Sequence, residues 1–352
     1  MKNKYILILS AIAIVFISGC AENREPLKIG VIAPLSGPDT IWGERMQQGI
    51  DLASQGKDIE VRYEDGVCKP QESVTAIRKL MEIDNITIII GEACSSATLA
   101  IAPIAQENGV ILVSPSSTDP RIPKIGNFIF RTWYSNTAEI EGLADFLEAS
   151  NYSKVALLYT LNEWGENRKS TLVSSFNGTL ISEGHEKDAA DMRTPLIKIR
   201  QKNPDAIVIF GYTNDMLLAL KQMKELNISK PLFTTTTVED PTFLELSGNL
   251  SDGIIYFSPD IKISGSFRSD YMEKYGKEPH QTAATSYDSF NILYDAIMSV
   301  GPDSRKIAEY MENLNYSGAS GELSFDNDGD VRRAVIAKII KNQKPENYGD
   351  AQ

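Results

Sequence analysis

The chain has 352 residues, a net charge of −12 at pH 7, 42% hydrophobic residues, three cysteines and two histidines. So acidic a balance excludes nucleic acid and an anionic membrane surface as partners, since both repel negative charge. Neither His185 nor His280 stands in a spacing with Cys, Glu or another His that a metal site or a catalytic dyad requires.

The first residues read as an export signal. Lys2 and Lys4 precede an apolar run, Tyr5 to Ile17, too short for a comfortable membrane span. Ile17-Ser18-Gly19-Cys20 then resembles the processing site of a lipoprotein precursor, with residues 1–19 as signal peptide and the Cys20 thiol as lipid acceptor. The alternative is an uncleaved anchor with a chance cysteine; position, charge and the Ser-Gly pair favour the lipoprotein. The body is then exported and anchored to the outer face of the cytoplasmic membrane, or held as a periplasmic lipoprotein, touching the membrane through the lipid alone. No later apolar run reaches the roughly 18 residues of a spanning helix. Without Lys2 and Lys4 the charge becomes −14. With Cys20 set aside, Cys68 and Cys94 form an even pair, which in an exported chain favours a disulfide over two independent buried thiols. The remaining chain exceeds the size at which one core splits, so two lobes are expected.

Along the body, strand and helix patterns alternate. Lys28 to Ala33 is an apolar run of the buried parallel type, followed by a Pro-Ser-Gly-Pro loop and a helix from Trp42 to Ser54. Ile59 to Glu64 is a strand, and Gln71 to Glu82 an amphipathic helix with Val74, Ile77, Leu80 and Met81 on one face. Ile86 to Ile90 is the third strand, Leu99 to Glu107 a helix, and Gly109 to Val113 the fourth strand. A second set follows Phe128 to Arg131, with strands at Lys154 to Tyr159, Ala206 to Phe210, Leu232 to Thr235 and Gly253 to Phe257 and helical patterns between them. Helices at Ser266 to Tyr275, Thr282 to Val300 and Ser304 to Asn313, then strands at Gly321 to Phe325 and Arg333 to Ile340, close the chain. Two successive sets of βα units predict an α/β protein of two doubly wound, parallel-sheet lobes, with ligands beyond the carboxyl ends of the strands.

One strand end stands out. Gly91 to Thr98 reads as strand, glycine turn and helix start, with Ser95, Ser96 and Thr98 as capping residue types. A helix start offers free N–H groups and the positive end of the dipole, which suits a carboxylate. Ser116, Ser117 and Thr118 add a second hydroxyl cluster at the next strand end, and Trp42 and Trp164 can wall an apolar portion. Catalysis has little support: no nucleophile elbow, zinc-protease, dinucleotide or phosphate-loop motif occurs. Asp326-Asn327-Asp328-Gly329-Asp330 has its Gly in the wrong register for a calcium loop and reads as a tight hairpin turn. No cofactor is expected.

These stretches together resemble the type I periplasmic solute-binding proteins, the leucine/isoleucine/valine-binding branch that serves ABC importers. The resemblance rests on Leu35-Ser36-Gly37-Pro38 with Trp42-Gly43, Asp65-Gly66-Val67-Cys68-Lys69-Pro70, Gly91-Glu92-Ala93-Cys94-Ser95-Ser96, Ser114 to Pro120, Phe130-Arg131-Thr132 and Trp164-Gly165-Glu166, and spans nearly the whole mature chain. It implies two lobes joined by three crossovers around a ligand cleft, lobe one at 27–134 plus 262–328 and lobe two at 135–261 plus 329–345. It implies a Cys68–Cys94 disulfide. It puts Ser95, Ser116 and Thr118, with Ser117 in the same turn, at the ligand's carboxylate and amine, Trp42 beside its side chain, and Trp164 and Tyr212 on the opposite lobe. The amino-acid binders carry a lobe-two Glu for the ligand's ammonium; here that position falls at Thr236, so Glu239 or Asp240 must reach in or the ligand is not an α-amino acid. The expected function is a lipid-anchored, monomeric substrate-binding protein with permease subunits as partners and a small carboxylate-bearing solute, first a branched-chain or other apolar amino acid. An amide, urea or aromatic carboxylate is the alternative solute, and a ligand-sensing ectodomain for a separate membrane partner the alternative role.

Overall fold

A computed structural model describes residues 27–331 and 334–349. The expected signal peptide at 1–19 and the expected lipid acceptor Cys20 lie outside the described residues.

The first sheet has the order β2-β1-β3-β4-β5, all parallel. Its elements are β1 (Leu27–Ala33), α1 (Thr40–Ala53), β2 (Ile59–Asp65), α2 (Pro70–Glu82), β3 (Ile88–Ile90), α3 (Ser95–Glu107), β4 (Ile111–Ser114) and β5 (Ile129–Arg131). Alternate residues of β1 serve opposite faces, as a strand's period of two requires. Ile29 and Val31 pack with Met46 and Ile50 of α1, whereas Ile32 packs with Ile77 and Leu80 of α2 and Ile101 of α3. Both faces are covered, which is why these strands are continuous apolar runs.

The second sheet has the order β14-β13-β10-β9-β8-β6-β7. The chain enters it through α4 (Asn136–Ala149), then β6 (Lys154–Thr160), α5 (Glu163–Ser175), β7 (Thr179–His185), α6 (Arg193–Lys202), β8 (Ala206–Phe210), α7 (Thr213–Glu225), β9 (Leu232–Thr235), α8 (Pro241–Ser247) and β10 (Ile255–Pro259). It then returns to the first sheet through α9 (Gly265–Tyr275), α10 (Gln281–Val300) and α11 (Ser304–Glu312), where Phe290 and Leu293 of α10 join the cluster of Ile29 and Met46. A hairpin, β11 (Asn315–Gly318) with β12 (Gly321–Ser324), precedes β13 (Val335–Lys341) and β14 (Lys344–Asn347), which close the second sheet. So the chain passes between the two sheets after β5, after β10 and after β12.

The structure departs from the sequence expectation in four places. β7 is an additional edge strand, and its polar, half-buried and exposed residues hid it beside the fully apolar runs. The second sheet is not purely parallel, because β13 lies antiparallel to β10 and β14 antiparallel to β13. The last expected strand begins at Val335; Arg333 lies outside the described residues. Finally, α3 begins at Ser95, four residues before the apolar pattern, so Ser95, Ser96 and Thr98 are helical rather than capping. The hairpin turn at 326–330 is present: Asp326 Oδ1 accepts from the N–H groups of Asp328 and Asp330 at 3.0 and 2.9 Å. Among the described residues no helix is long and apolar enough to cross a membrane.

Candidate ligand-binding site

The carboxyl ends of the two sheets face one another across a cleft. On the first-sheet side, Glu92 organises the wall. Its backbone carbonyl accepts from Ser114 Oγ at 2.7 Å, Ser117 Oγ at 3.1 Å and Thr98 Oγ1 at 3.2 Å, so one peptide oxygen ties the turn after β3 to the turn after β4. Its carboxyl accepts from the Cys94 N–H at 2.9 Å, supplying the helix-start acceptor that the serines were expected to provide. Cys94 is disulfide-bonded to Cys68, with the Cα atoms 5.3 Å apart, so the α3 start is also fixed to the loop after β2. Ser95 Oγ accepts from the Thr118 N–H at 3.3 Å, which sets the two hydroxyl clusters side by side.

Burial pushes the Glu92 carboxyl up to about 7, against the lowering effect of the Cys94 N–H. A carboxyl raised above its unfolded value stabilises the fold fully below about 4.5 and loses that contribution as pH climbs through about 7. Glu92→Gln is therefore expected to match the wild type at pH 4.5 and exceed it by about 2–3 kcal/mol at pH 8. Denaturant titrations at the two pH values check this; an unchanged pH slope in the variant would exclude Glu92 as its source.

Each wall carries a tryptophan delivered in the same way. Trp42-Gly43 lies in the first turn of α1, after β1, and Trp164-Gly165 in the first turn of α5, after β6. A Cβ at Gly43 would lie 2.0 Å from the Pro34 carbonyl oxygen, and one at Gly165 1.9 Å from that of Thr160. Only glycine lets the helix rest on the strand-end backbone there, and that contact aims the preceding indole into the cleft. Trp42 meets His280 edge-on at 5.5 Å, while Trp164 stacks on Tyr212 at 4.8 Å. His280 is the N-cap of α10, its Nδ1 accepting from the Thr282 N–H at 3.1 Å. Burial, and then Arg45, hold its pKa well below the usual imidazole range, so the ring is neutral.

The second-sheet wall answers the question raised by Thr236. Its hydroxyl is already engaged, with the Glu139 carboxyl at 3.1 Å and the Tyr134 hydroxyl at 2.7 Å. Glu139 lies on the buried stripe of α4 and also accepts from Tyr134 at 2.9 Å. Burial pushes its carboxyl up to about 7, against the pull of Arg168. Glu239 lines the cavity, but its carboxylate is held by Lys338 at 2.5 Å, Gln281 at 2.7 Å and Tyr256 at 2.9 Å. Asp240 is held by Arg45 at 2.7 Å.

A cavity of about 80 Å³ lies between the walls, several times the roughly 10–15 Å³ one water requires. Of the expected ligand contacts, Trp42, Ser95, Ser116, Thr118, Trp164, Tyr212, Thr236 and Glu239 line it. Ser117 does not: its hydroxyl points at Thr98 Oγ1, 2.7 Å away, and at the Glu92 and Ala93 carbonyls. Asp240, which the sequence offered beside Glu239, lines it too, as do Tyr134, Arg168, His280 and Gln281, which escaped the sequence reading. Asp39–Lys187, Arg45–Asp240 and Arg121–Glu163 bridge the walls at 2.7, 2.7 and 2.5 Å.

Two α/β lobes, a cleft between their strand ends and aromatic walls around a hydroxyl cluster define a solute-binding protein of two closing jaws. The family model for periplasmic binding proteins matches residues 26–343, and the chain belongs to that family. A leucine binding protein of Thermotoga maritima is 27% identical, covers 92% of this chain and 99% of its own, and superposes with a TM-score of 0.84. The leucine-, isoleucine-, valine-, threonine- and alanine-binding protein of Pseudomonas aeruginosa is 22% identical over 92% of both chains. A solute binding protein of R. palustris in complex with benzoate shares the fold, at 20% identity, a TM-score of 0.83 and coverage of 92% and 95%. Family membership places the chain among the extracytoplasmic substrate-binding proteins of ABC-type transporters.

Proposed function

We propose that this chain is the lipid-anchored, monomeric receptor of an ABC importer, closing its lobes on a small carboxylate-bearing solute and presenting it to permease subunits. The jaws are taken as 27–134 plus 262–328 and 135–261 plus 329–345, with Cys20 as the lipid attachment site. The observation that carries the solute class is the meeting of Ser95, Ser116 and Thr118 at the start of α3, beside Trp42 and facing the Trp164–Tyr212 stack across the cavity. Hydroxyls and a helix start receive the carboxylate, and the rings receive the apolar body. The relatives that bind leucine, isoleucine and valine make a branched-chain amino acid the first solute to test.

A second reading is favoured by Thr236, a neutral residue already bonded to Glu139 and Tyr134 where an ammonium acceptor is expected. On this reading the solute is a carboxylate of another kind, an aromatic acid among them. Calorimetry against amino acids, amides and aromatic acids tests both; no binder, together with no closure in solution scattering, would sink the receptor reading. Ser95→Ala and Thr118→Ala are each expected to weaken binding by roughly 1–3 kcal/mol, the range for hydrogen bonds to a charged group. Unchanged affinity in both variants would move the site elsewhere.

A further inference from the structure

One cavity-lining group has no part in the reading so far, the guanidinium of Arg168 in α5. Arg168 is only 2% exposed, and the face of Trp164 covers its guanidinium carbon at 4.1 Å. Nη1 donates to Thr118 Oγ1, across the cleft, at 3.1 Å. Nη2 reaches Glu139 Oε2 only at 3.4 Å, long beside the roughly 2.7–2.9 Å of a charge-assisted bond. Nε is buried and has no hydrogen-bond partner among the described residues. Glu139, by contrast, is served by Tyr134 and Thr236. A five-donor fork that spends so few of its N–H groups, beside a hydroxyl cluster and under an aromatic face, is under-coordinated in a way a carboxylate corrects.

The same walls offer nothing equivalent to a cation. Glu239 already accepts from Lys338, Tyr256 and Gln281, Asp240 from Arg45, and Glu139 from Thr236 and Tyr134. An ammonium entering the cleft would meet Arg168 and, as a free acceptor, the neutral Thr237 Oγ1, which is buried without a hydrogen-bond partner among the described residues and cannot balance its charge.

We propose that Arg168 contacts the solute and determines specificity: with Thr118 it clamps the carboxylate from both jaws and selects organic acids that carry no ammonium group. This rests on the carboxylate reading above and narrows it. Glu139 is the resident counter-ion that holds the fork in place and competes with the solute for it.

The test is calorimetry of the purified full-length chain in mild detergent with 4-methylpentanoate, benzoate, leucine and leucinamide. One or both acids are expected to bind at least about tenfold tighter than leucine, and Arg168→Met to weaken that acid roughly 10- to 100-fold. Because Arg168→Met strands Glu139 and can fail to fold, Glu139→Gln is measured beside it. That variant keeps the fork and removes its competitor, so acid binding should tighten several-fold, a gain that misfolding cannot imitate. Leucine binding tighter than both acids, or weaker acid binding in Glu139→Gln, would overturn the proposal and leave the carboxylate reading standing. Leucinamide binding while no carboxylate binds would overturn the carboxylate reading itself.

Discussion

Replacing Arg131 by Met is expected to lower the stability of the chain by about 3–5 kcal/mol, the usual consequence of removing one partner of a buried ion pair. Arg131 ends β5 and is fully buried. Its Nε and Nη2 grip the two carboxylate oxygens of Asp330, in the connection from β12 to β13, and its Nη1 donates to the Asp119 carbonyl at 2.8 Å. One side chain therefore fastens the edge of the first sheet, a passage between the sheets and the turn that carries Thr118. Methionine keeps much of the stem's packing but leaves the Asp330 carboxylate without its cation and the Asp119 carbonyl with the Ile122 N–H alone of its two donors. Equilibrium denaturation gives the number directly. A loss below about 1 kcal/mol would mean that the pair is solvated enough to be replaced by water.

The second large effect is the loss of the Cys68–Cys94 bridge. The cysteines are 26 residues apart in sequence, and closing a loop of that size in the unfolded chain is worth roughly 3–4 kcal/mol on the chain-entropy model. Cys68→Ala with Cys94→Ala should therefore melt well below the wild type, and the oxidised wild type should show no alkylatable thiol at either position by mass spectrometry without reductant. Equal stability of the double variant, or free thiols in the untreated protein, would refute the contribution. The loss should also reach the ligand, because Cys94 is the N-cap of the helix that opens with Ser95.

The fold was largely legible because buried parallel strands leave an unmistakable mark. Ile29 to Ala33 and Ala206 to Phe210 are apolar on both faces, and no surface segment looks like them. β7 left no such mark, since Thr179, Ser182, Glu183 and His185 interrupt its apolar residues and most of the edge strand is half-buried or exposed. The first-sheet wall was legible through its hydroxyl-bearing turns. The second-sheet wall was legible only in part: Trp164, Tyr212, Thr236 and Glu239 stood out in their loops, whereas Glu139 and Arg168 look like any solvated helix charge. What distinguishes them is position. Glu139 shares a face with the buried Ile140, Leu143 and Leu147, and Arg168 stands four residues before the buried Leu172. A charge on an apolar stripe was the available signal. The role of Ser117 could not be read in advance, because its alternatives, ligand contact or a bond to the Glu92 carbonyl, differ only in which way one hydroxyl turns.

The paired Trp-Gly steps have a consequence for how such a receptor changes over time. In each lobe the glycine makes the contact between helix and strand, and the indole only occupies the direction that contact creates. Structure and selectivity are thus written in adjacent but separate letters. A descendant can exchange either ring for a smaller or more polar one and acquire a new diet with its scaffold intact. A side chain in place of either glycine would lift a helix from its strand and forfeit the cleft along with the old solute.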